Sequence, residues 1–260
     1  MNNLKPNNLR NHILDMVYNK KSGHIGGSFS LCEIISYLYL NYDLINKDKL
    51  ILSKGHAVPV IYAVLYELGY LENLDSFREI DSELQGHPDK NRLKYLHAST
   101  GSLGQGLSIA IGHALASKLK KIDNKIFCIV GDGEIQEGQI WEAFMFAPKY
   151  KLNNLICLID HNKIQSEGFI KDILNLQNLQ DKIKSFGWDV LNINGHDYKE
   201  IKSASNYINK DYFKLPVCII LNTIKGKGVS FMENNNEWHS KIPSEEEYNL
   251  AKKELNESNT

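Results

Sequence analysis

Residues 125–168 read KIFCIVGDGEIQEGQIWEAFMFAPKYKLNNLICLIDHNKIQSEG, and this stretch decides the fold. Ile126 to Val130 is a short, almost wholly apolar run with a β-branched bias, the pattern of a strand buried on both faces of a parallel sheet. It stops at Gly131-Asp132-Gly133, where glycines on both sides of a carboxylate let the backbone turn sharply and approach a ligand. Gln139 to Tyr150 reads as a helix with Trp141, Phe144 and Ala147 on one face. Leu155 to Ile159 repeats the buried-strand pattern and ends in Asp160-His161-Asn162. A right-handed βαβ crossover packs the helix over the sheet and sets Asp132 and Asn162 on neighbouring strand ends. A carboxylate and a carboxamide, with room for water and phosphate oxygens, suit Mg²⁺ held jointly by protein and a diphosphate. Taken alone, GDG also reads as a tight turn and Asn162 as a loop cap.

Working outward, 260 residues are enough to bury a large core, and no linker divides them. The expectation is a single domain over residues 1–260. The formal charge of −1 leaves no electrostatic footprint for nucleic acid or an anionic membrane. No apolar run approaches the roughly 20 residues that cross a bilayer, and Met1-Asn-Asn-Leu-Lys opens no signal peptide, so the chain is expected in the cytoplasm. Cys32, Cys128, Cys157 and Cys218 form no C-x-x-C pair and read as reduced packing residues. Beyond a polar tail, Asn256 to Thr260, nothing is of low complexity.

Pro6 to Tyr18 has helical spacing and ends at Lys20-Lys21-Ser22-Gly23. SGHIGGSFS follows over residues 22–30, and Ser30-Leu-Cys-Glu33 reads as a capping box opening the next helix. His24, among small residues before a helix start, is placed to meet an anion or a polar substrate. Leu50 to Ser53 is a brief apolar run before Lys54-Gly55-His56-Ala57, with a helix from Val58 to Leu68 closed by Gly69. Asp75 to His97, which includes Gly86-His87-Pro88, is irregular, and long loops inside compact domains tend to be functional or disordered. Thr100-Gly-Ser-Leu-Gly-Gln-Gly106 leads into a small-residue helix, Leu107 to Leu119. Later come a helix over Leu176 to Phe186, a strand over Trp188 to Ile193, a helix over Lys199 to Ile208 and a buried strand over Val217 to Thr223. Ser244-Glu-Glu-Glu247 caps a last helix. The alternation argues an α/β doubly wound parallel sheet with helices on both faces.

Taken together, SGHxG, SKGHA, GHP, TGxLGQG, GDGxxQEG with WEA and D-x-N-K, and NTIKGKG with a distal histidine resemble the transketolase family, in order, from Ser22 to His239. Deoxyxylulose phosphate synthases lack SKGHA, and keto-acid dehydrogenase α subunits lack SGHxG. The resemblance implies the diphosphate-binding domain of a thiamine diphosphate fold. It implies that Asp132, the Asn162 side chain and the Ile164 carbonyl hold Mg²⁺, with Ca²⁺ or Mn²⁺ able to substitute. His56, Gly101, Ser102, Leu103, Gly133, Asn162 and His239 would meet thiamine diphosphate, Ser102 standing where full-length members commonly have proline. His24, His87 and His239 would bind ketose hydroxyls and shuttle protons, for which a reference pKa near neutrality suits them. Ser166 departs from the aliphatic residue usual against the cofactor rings.

In the family a glutamate of a separate pyrimidine-binding domain activates the cofactor, and nothing here matches it. The expectation is therefore a split transketolase in which this chain is the N-terminal subunit. The C-terminal subunit would supply the activating glutamate, as an α2β2 heterotetramer acting on sugars or sugar phosphates. Glu137 and Glu142 would sit near the subunit contact. The alternatives are a partner-dependent enzyme of specialised sugar synthesis with another donor and acceptor, and a non-catalytic cofactor-binding module.

Overall fold

In the computed structural model residues 4–210 and 214–257 are described, so Met1 to Asn3 and the end of the polar tail lie outside the described residues. The helices are α1 (Pro6–Lys20), α2 (Gly26–Phe29), α3 (Cys32–Asn41), α4 (Pro59–Glu67), α5 (Gln105–Leu119), α6 (Gly138–Lys149), α7 (Ile170–Ile173), α8 (Leu179–Ser185), α9 (Tyr198–Ile208) and α10 (Glu245–Glu257). The strands are β1 (Lys49–Leu52), β2 (Ile126–Gly131), β3 (Leu155–His161), β4 (Asp189–Asn194) and β5 (Val217–Asn222). They form one parallel five-stranded sheet in the order β1-β2-β3-β5-β4.

Strand periodicity of two sends alternate side chains to two separate cores. Phe127, Ile129, Ile156, Leu158, Ile219 and Leu221 pack with α1, α3, α4, α9 and α10. Cys128, Val130, Cys157, Ile159, Cys218 and Ile220 face the opposite way, against α5, α6 and α8. All four cysteines are free and buried, in the packing role expected of them. Among the described residues no helix is long and apolar enough to cross a membrane.

Two local expectations need correction. Ser30 and Glu33 do not form a capping box, because longer-range partners claim both side chains. Ser30 Oγ donates to Gly27 O and Asp160 Oδ2, and Glu33 takes Arg10 and His196. The helix expected from Leu176 starts at Leu179, where the Asn178 side chain accepts the Asp181 N–H as its N-cap. By contrast, the Ser244 box forms: Glu247 N–H donates to Ser244 Oγ and Glu247 Oε2 accepts the Ser244 N–H.

The chain leaves β3 toward the face carrying Ile170, Leu179 and Ile183, and leaves β5 toward the face carrying Val229, Met232 and Trp238. Adjacent strands whose continuations part to opposite faces open a crevice at their carboxyl ends, where open α/β sheets bind ligands. Close backbone contact seals one side of it. A Cβ placed on Gly106 would lie 2.4 Å from the Cβ and Oγ of Ser53, just beyond β1. Gly106→Ala is expected to destabilise the fold by about 1–3 kcal/mol through overpacking, measured as a lower urea midpoint with an unchanged m value.

Candidate active site

The crevice is a cleft of about 260 Å³ whose lining includes Gly27, Lys54, His56, Leu103, Asp132, Gly133, Glu137, Asn162, Ile164, Gln165, Ser166, Lys225 and His239. Seven of these are residues singled out from the sequence as cofactor, metal or catalytic groups: His56, Leu103, Asp132, Gly133, Asn162, Ile164 and His239.

Asp160, the last buried residue of β3, anchors the floor. Its carboxylate is fully buried and accepts from Lys54 Nζ, Ser30 Oγ, Thr223 Oγ1 and Asn162 Nδ2. Burial pushes this carboxyl up, but the Lys54 charge and the converging donors outweigh it and hold it below its usual range. The Asn162 amide is thereby oriented, with Nδ2 on Asp160 and Oδ1 accepting the Ile164 N–H at 3.0 Å.

Asp132 sits one strand away in a different electrostatic state. It is buried, its Oδ1 accepts the Gly133 N–H at 2.9 Å, and Oδ2 accepts from Lys163 N–H. His161 Nδ1 lies 3.3 Å from Oδ2 without a well-directed hydrogen bond, and among the described residues no lysine or arginine pairs with Asp132. Burial, with the Asp160 charge adding to it, pushes this carboxyl above its ordinary value despite His161 and Lys163 beside it. The carboxylate is thus buried with no full positive charge paired to it among the described residues. The Asp132 carboxylate, Asn162 Oδ1 and Ile164 O are hard oxygen donors of the kind that hold Mg²⁺ or Ca²⁺ rather than a soft metal. Among the described residues no three His, Cys, Asp or Glu side chains could by themselves hold a metal, so such a cation needs further oxygens from phosphate or water.

The histidines gather over this floor. The His24 ring centre lies 5.3 Å from His56, 5.2 Å from His239 and 6.1 Å from His87, and His56 lies 5.1 Å from His239. His24 Nδ1 is buried without a partner, a donor or acceptor left for a ligand. His87 sits beside Gly101, whose φ of +148° and closeness to the imidazole, 3.0 Å from a Cβ position, favour glycine. Of the Gly101-Ser102-Leu103 run only Leu103 is on the cleft wall, and the rim residue Glu137 and the α6 residue Glu142 are exposed.

The reference pKa invoked for these histidines does not survive folding. Burial, then His87 and the Arg78, Lys225 and Lys54 charges, push His24 down to about 4. Burial, with Lys225, His24 and Lys54, pushes His239 to about 3, and burial and Lys54 carry His56 well below its ordinary value. All three are neutral imidazoles at physiological pH.

Two lysines escaped the sequence reading. Lys54 lies within the SKGHA motif, where only the histidine drew attention, yet its buried Nζ bonds Gly27 O and Asp160. Lys225 Nζ reaches Gln165 O at 3.1 Å, Ile164 O at 3.4 Å and His239 Nδ1 at 3.2 Å. Burial and the neighbouring Lys54 charge bring it down to about 8. Glu134 also went unread; it gathers Ser53 Oγ and the Gly104 and Gly131 N–H groups, so that three glycine-bearing turns meet at one buried carboxylate.

Fold and cleft together define an α/β protein with a polar crevice at the carboxyl ends of a parallel sheet, the place where such folds take a ligand. The chain belongs to the transketolase family: residues 2–258 match the family model described as transketolase, thiamine diphosphate binding domain. It is 43% identical over 243 residues to the 6-deoxy-6-sulfo-D-fructose transketolase subunit SqwG of a Clostridium species, covering 90% of this chain and 88% of that one. It is 38% identical over 259 residues to an apulose-4-phosphate transketolase subunit of Phocaeicola vulgatus, covering 95% and 91%. The crystal structure of Campylobacter jejuni transketolase superposes with a TM-score of 0.90 at 36% identity, covering 96% of this chain but 42% of that one. This chain thus spans about two fifths of that solved transketolase and most of the length of the two subunits.

The depressed histidines make stability depend on pH with a definite sign. An unfolded histidine takes up a proton as pH falls through about 6.5, whereas folded His24 does so only near 4. Between those values the unfolded state binds more protons. Stability is therefore greatest above about pH 6.5 and is lost as pH falls toward 4. The unfolding midpoint in urea, measured from pH 7 to 4, should fall less steeply for His24→Gln than for the parent chain.

Proposed function

We propose that this chain is the N-terminal subunit of a split transketolase, folded as one domain, that binds thiamine diphosphate with Mg²⁺ and works only with a separate C-terminal subunit in the cytoplasm. The observation that carries this reading is the convergence of Asp132, Asn162 and Ile164 O, at the ends of two adjacent strands, on a cleft that Lys225, His56 and His239 also line. The coverage of two named transketolase subunits at about nine tenths of their own lengths supports the division of labour. An α2β2 assembly is the arrangement we favour. Four free, buried thiols suit a reducing compartment.

When bound, thiamine diphosphate supplies a thiazolium carbon acid that, once deprotonated, can attack a ketose carbonyl and carry the two-carbon unit to an aldose. This chain's residues bind and orient. Asp132, Asn162 Oδ1 and Ile164 O hold the cation. Lys54 is committed to the Asp160 carboxylate, whereas Lys225 has only the neutral acceptors Gln165 O, Ile164 O and His239 Nδ1 and would turn from them to meet the diphosphate. The Gly133 N–H is engaged by Asp132 Oδ1, so its contact with a phosphate oxygen requires that carboxylate to turn toward the cation. Leu103 borders the place for the cofactor rings, with Ser166 at the rim, and Gly101 and Ser102 adjoin Leu103 in the chain. His24 and His87 offer a hydrogen-bond donor and an acceptor each to sugar hydroxyls, and His239, whose Nδ1 accepts from Lys225, offers its Nε2–H donor, so that the three can hand protons to and from the sugar.

The two relatives are named for a sulfonated and a phosphorylated sugar, which favours substrates with an anionic group at the end away from the reacting carbons. Transfer within a specialised sugar pathway is thus the closest variant of the same function. The direct test mixes the chain with its C-terminal partner, thiamine diphosphate and Mg²⁺ and follows ketol transfer from ketose to aldose phosphates. Activity is expected in the mixture and absent from either chain alone. Cofactor binding without transfer to any aldose would support a non-catalytic module instead. Asp132→Ala should abolish Mg²⁺-dependent cofactor binding while the fold persists by circular dichroism. Glu137→Ala, at the exposed rim, should weaken subunit assembly or lower activity in the mixture; no change in either would remove Glu137 from the contact.

A further inference from the structure

Away from the cleft, a chain of buried polar groups that the proposed reaction does not use runs to its edge. Arg10 of α1, 2% exposed, donates to both oxygens of Glu33 in α3, at 2.6 and 2.7 Å, and to Phe29 O at the end of α2. Glu33 Oε2 lies 2.9 Å from His196 Nδ1, in the loop after β4. The far nitrogen, Nε2, lies 2.9 Å from the backbone nitrogen of Ile224. A backbone N–H can only donate, so Nε2 carries the lone pair and the ring proton sits on Nδ1, pointing at Glu33. Every contact in the chain then has one donor and one acceptor. The carboxylate selects the tautomer and the tautomer captures the Ile224 amide.

Ile224 immediately precedes Lys225. The turn it opens is held also by Thr223 Oγ1 to Asp160, Lys227 N–H to Ile224 O at 3.2 Å, Asn234 N–H to Lys225 O at 3.0 Å and Gly226 N–H to Gly26 O at 3.1 Å. Lys225 is therefore aimed from a backbone pinned on both sides, and the pin on the Ile224 amide is the His196 side chain. Removing the Nε2 acceptor leaves a partly buried N–H unpaired, and the local way to satisfy it is to rotate the 223–224 peptide that carries it, which shifts Ile224 and the backbone from which the Lys225 stem departs.

We propose that His196, oriented by Glu33 and Arg10, is a positioning residue that holds the Ile224 amide and so fixes Lys225 for the cofactor diphosphate. This rests on the reading above that the cleft binds thiamine diphosphate and that Lys225 meets it. His196 touches neither.

Two substitutions separate its two bonds. His196→Asn can keep a donor near Nδ1 for Glu33 but is too short to reach Ile224. His196→Gln can place an acceptor where Nε2 was. The measurement is thiamine diphosphate affinity by calorimetry with Mg²⁺, on the assembled two-subunit protein, with melting temperature as a check on folding. His196→Asn is expected to weaken cofactor binding about 10-fold, the low end of what outer-shell partners cost, and His196→Gln to stay within about 3-fold of the parent. The same pair is then measured in a Lys225→Met background. If His196 acts through Lys225, the difference between Asn and Gln vanishes there. An equal loss in both backgrounds would overturn the inference and leave His196 a general stabiliser of the fold. Parent-like affinity for His196→Asn would overturn it too. Should Lys225→Met alone bind cofactor as tightly as the parent, the site reading itself falls, and the inference with it.

Discussion

The floor of the cleft depends on one buried carboxylate. Asp160 draws together the end of β1 through Lys54, the α2–α3 junction through Ser30, the end of β5 through Thr223 and its own strand through Asn162. A lone buried charge costs several kcal/mol, and this one is tolerable because a lysine and three neutral donors satisfy it. Its position follows from strand order, since β3 lies between β2 and β5 and its carboxyl end is where both neighbours can reach. Ser30, Lys54 and Thr223 arrive from widely separated parts of the sequence, yet each ends on the same carboxylate. The geometry of Asn162, a proposed metal ligand, is therefore inherited from all of them.

Asp160 and Asp132 show how neighbouring carboxylates acquire opposite tasks. Asp160 is held ionised by Lys54 and its hydrogen bonds, so it is structural and has no unmet demand. Asp132 is pushed toward its neutral form by burial and by Asp160 itself, with no full positive charge paired to it. The same environment that raises its pKa raises its appetite for a cation, because a divalent ion relieves both burial and like-charge repulsion. Lys225 is the mirror case, an ammonium depressed by burial and by Lys54 and better satisfied by an incoming anion. In the proposed complex a cation and a diphosphate would each answer a strain the protein holds.

The sheet, the strand ends and the Asp132 and Asn162 pair were legible in the sequence because strand burial and βαβ handedness are local or near-local properties. Side-chain allegiance across long separations was not. The pattern S-x-x-E occurs at Ser30 and at Ser244, with the same local propensity. At Ser244 nothing competes and the capping box forms. At Ser30 a buried carboxylate on β3 claims the hydroxyl, and Arg10 and His196 claim Glu33. Tertiary demand for satisfying a buried charge exceeds the worth of a cap, about 1 kcal/mol. Lys54 and Lys225 were unread for the same reason, since a lysine's reach of several bonds leaves no periodic trace. The histidine pKa values were misjudged because their shift comes from mutual crowding that no single motif contains.

The cleft is tightly bonded at Asp160 and open at its rim. The Asp160 carboxylate is buried and met by four donors, whereas Leu103 is 37% exposed, Glu137 and Ser166 lie at the rim, and His24 Nδ1 is buried with no partner. An unpaired buried nitrogen costs on the order of 1–3 kcal/mol, and a large apolar side chain left at a cleft mouth forgoes burial. Both costs vanish when a ligand and a second protein surface cover them. A half-site whose anchoring contacts are preformed and whose remaining contacts are missing binds its cofactor weakly alone and tightly in an assembly, because the ordering cost is already met on one side. In the proposed split enzyme that asymmetry would let this chain hold the charge-bearing end of the cofactor and leave its activation to the other subunit.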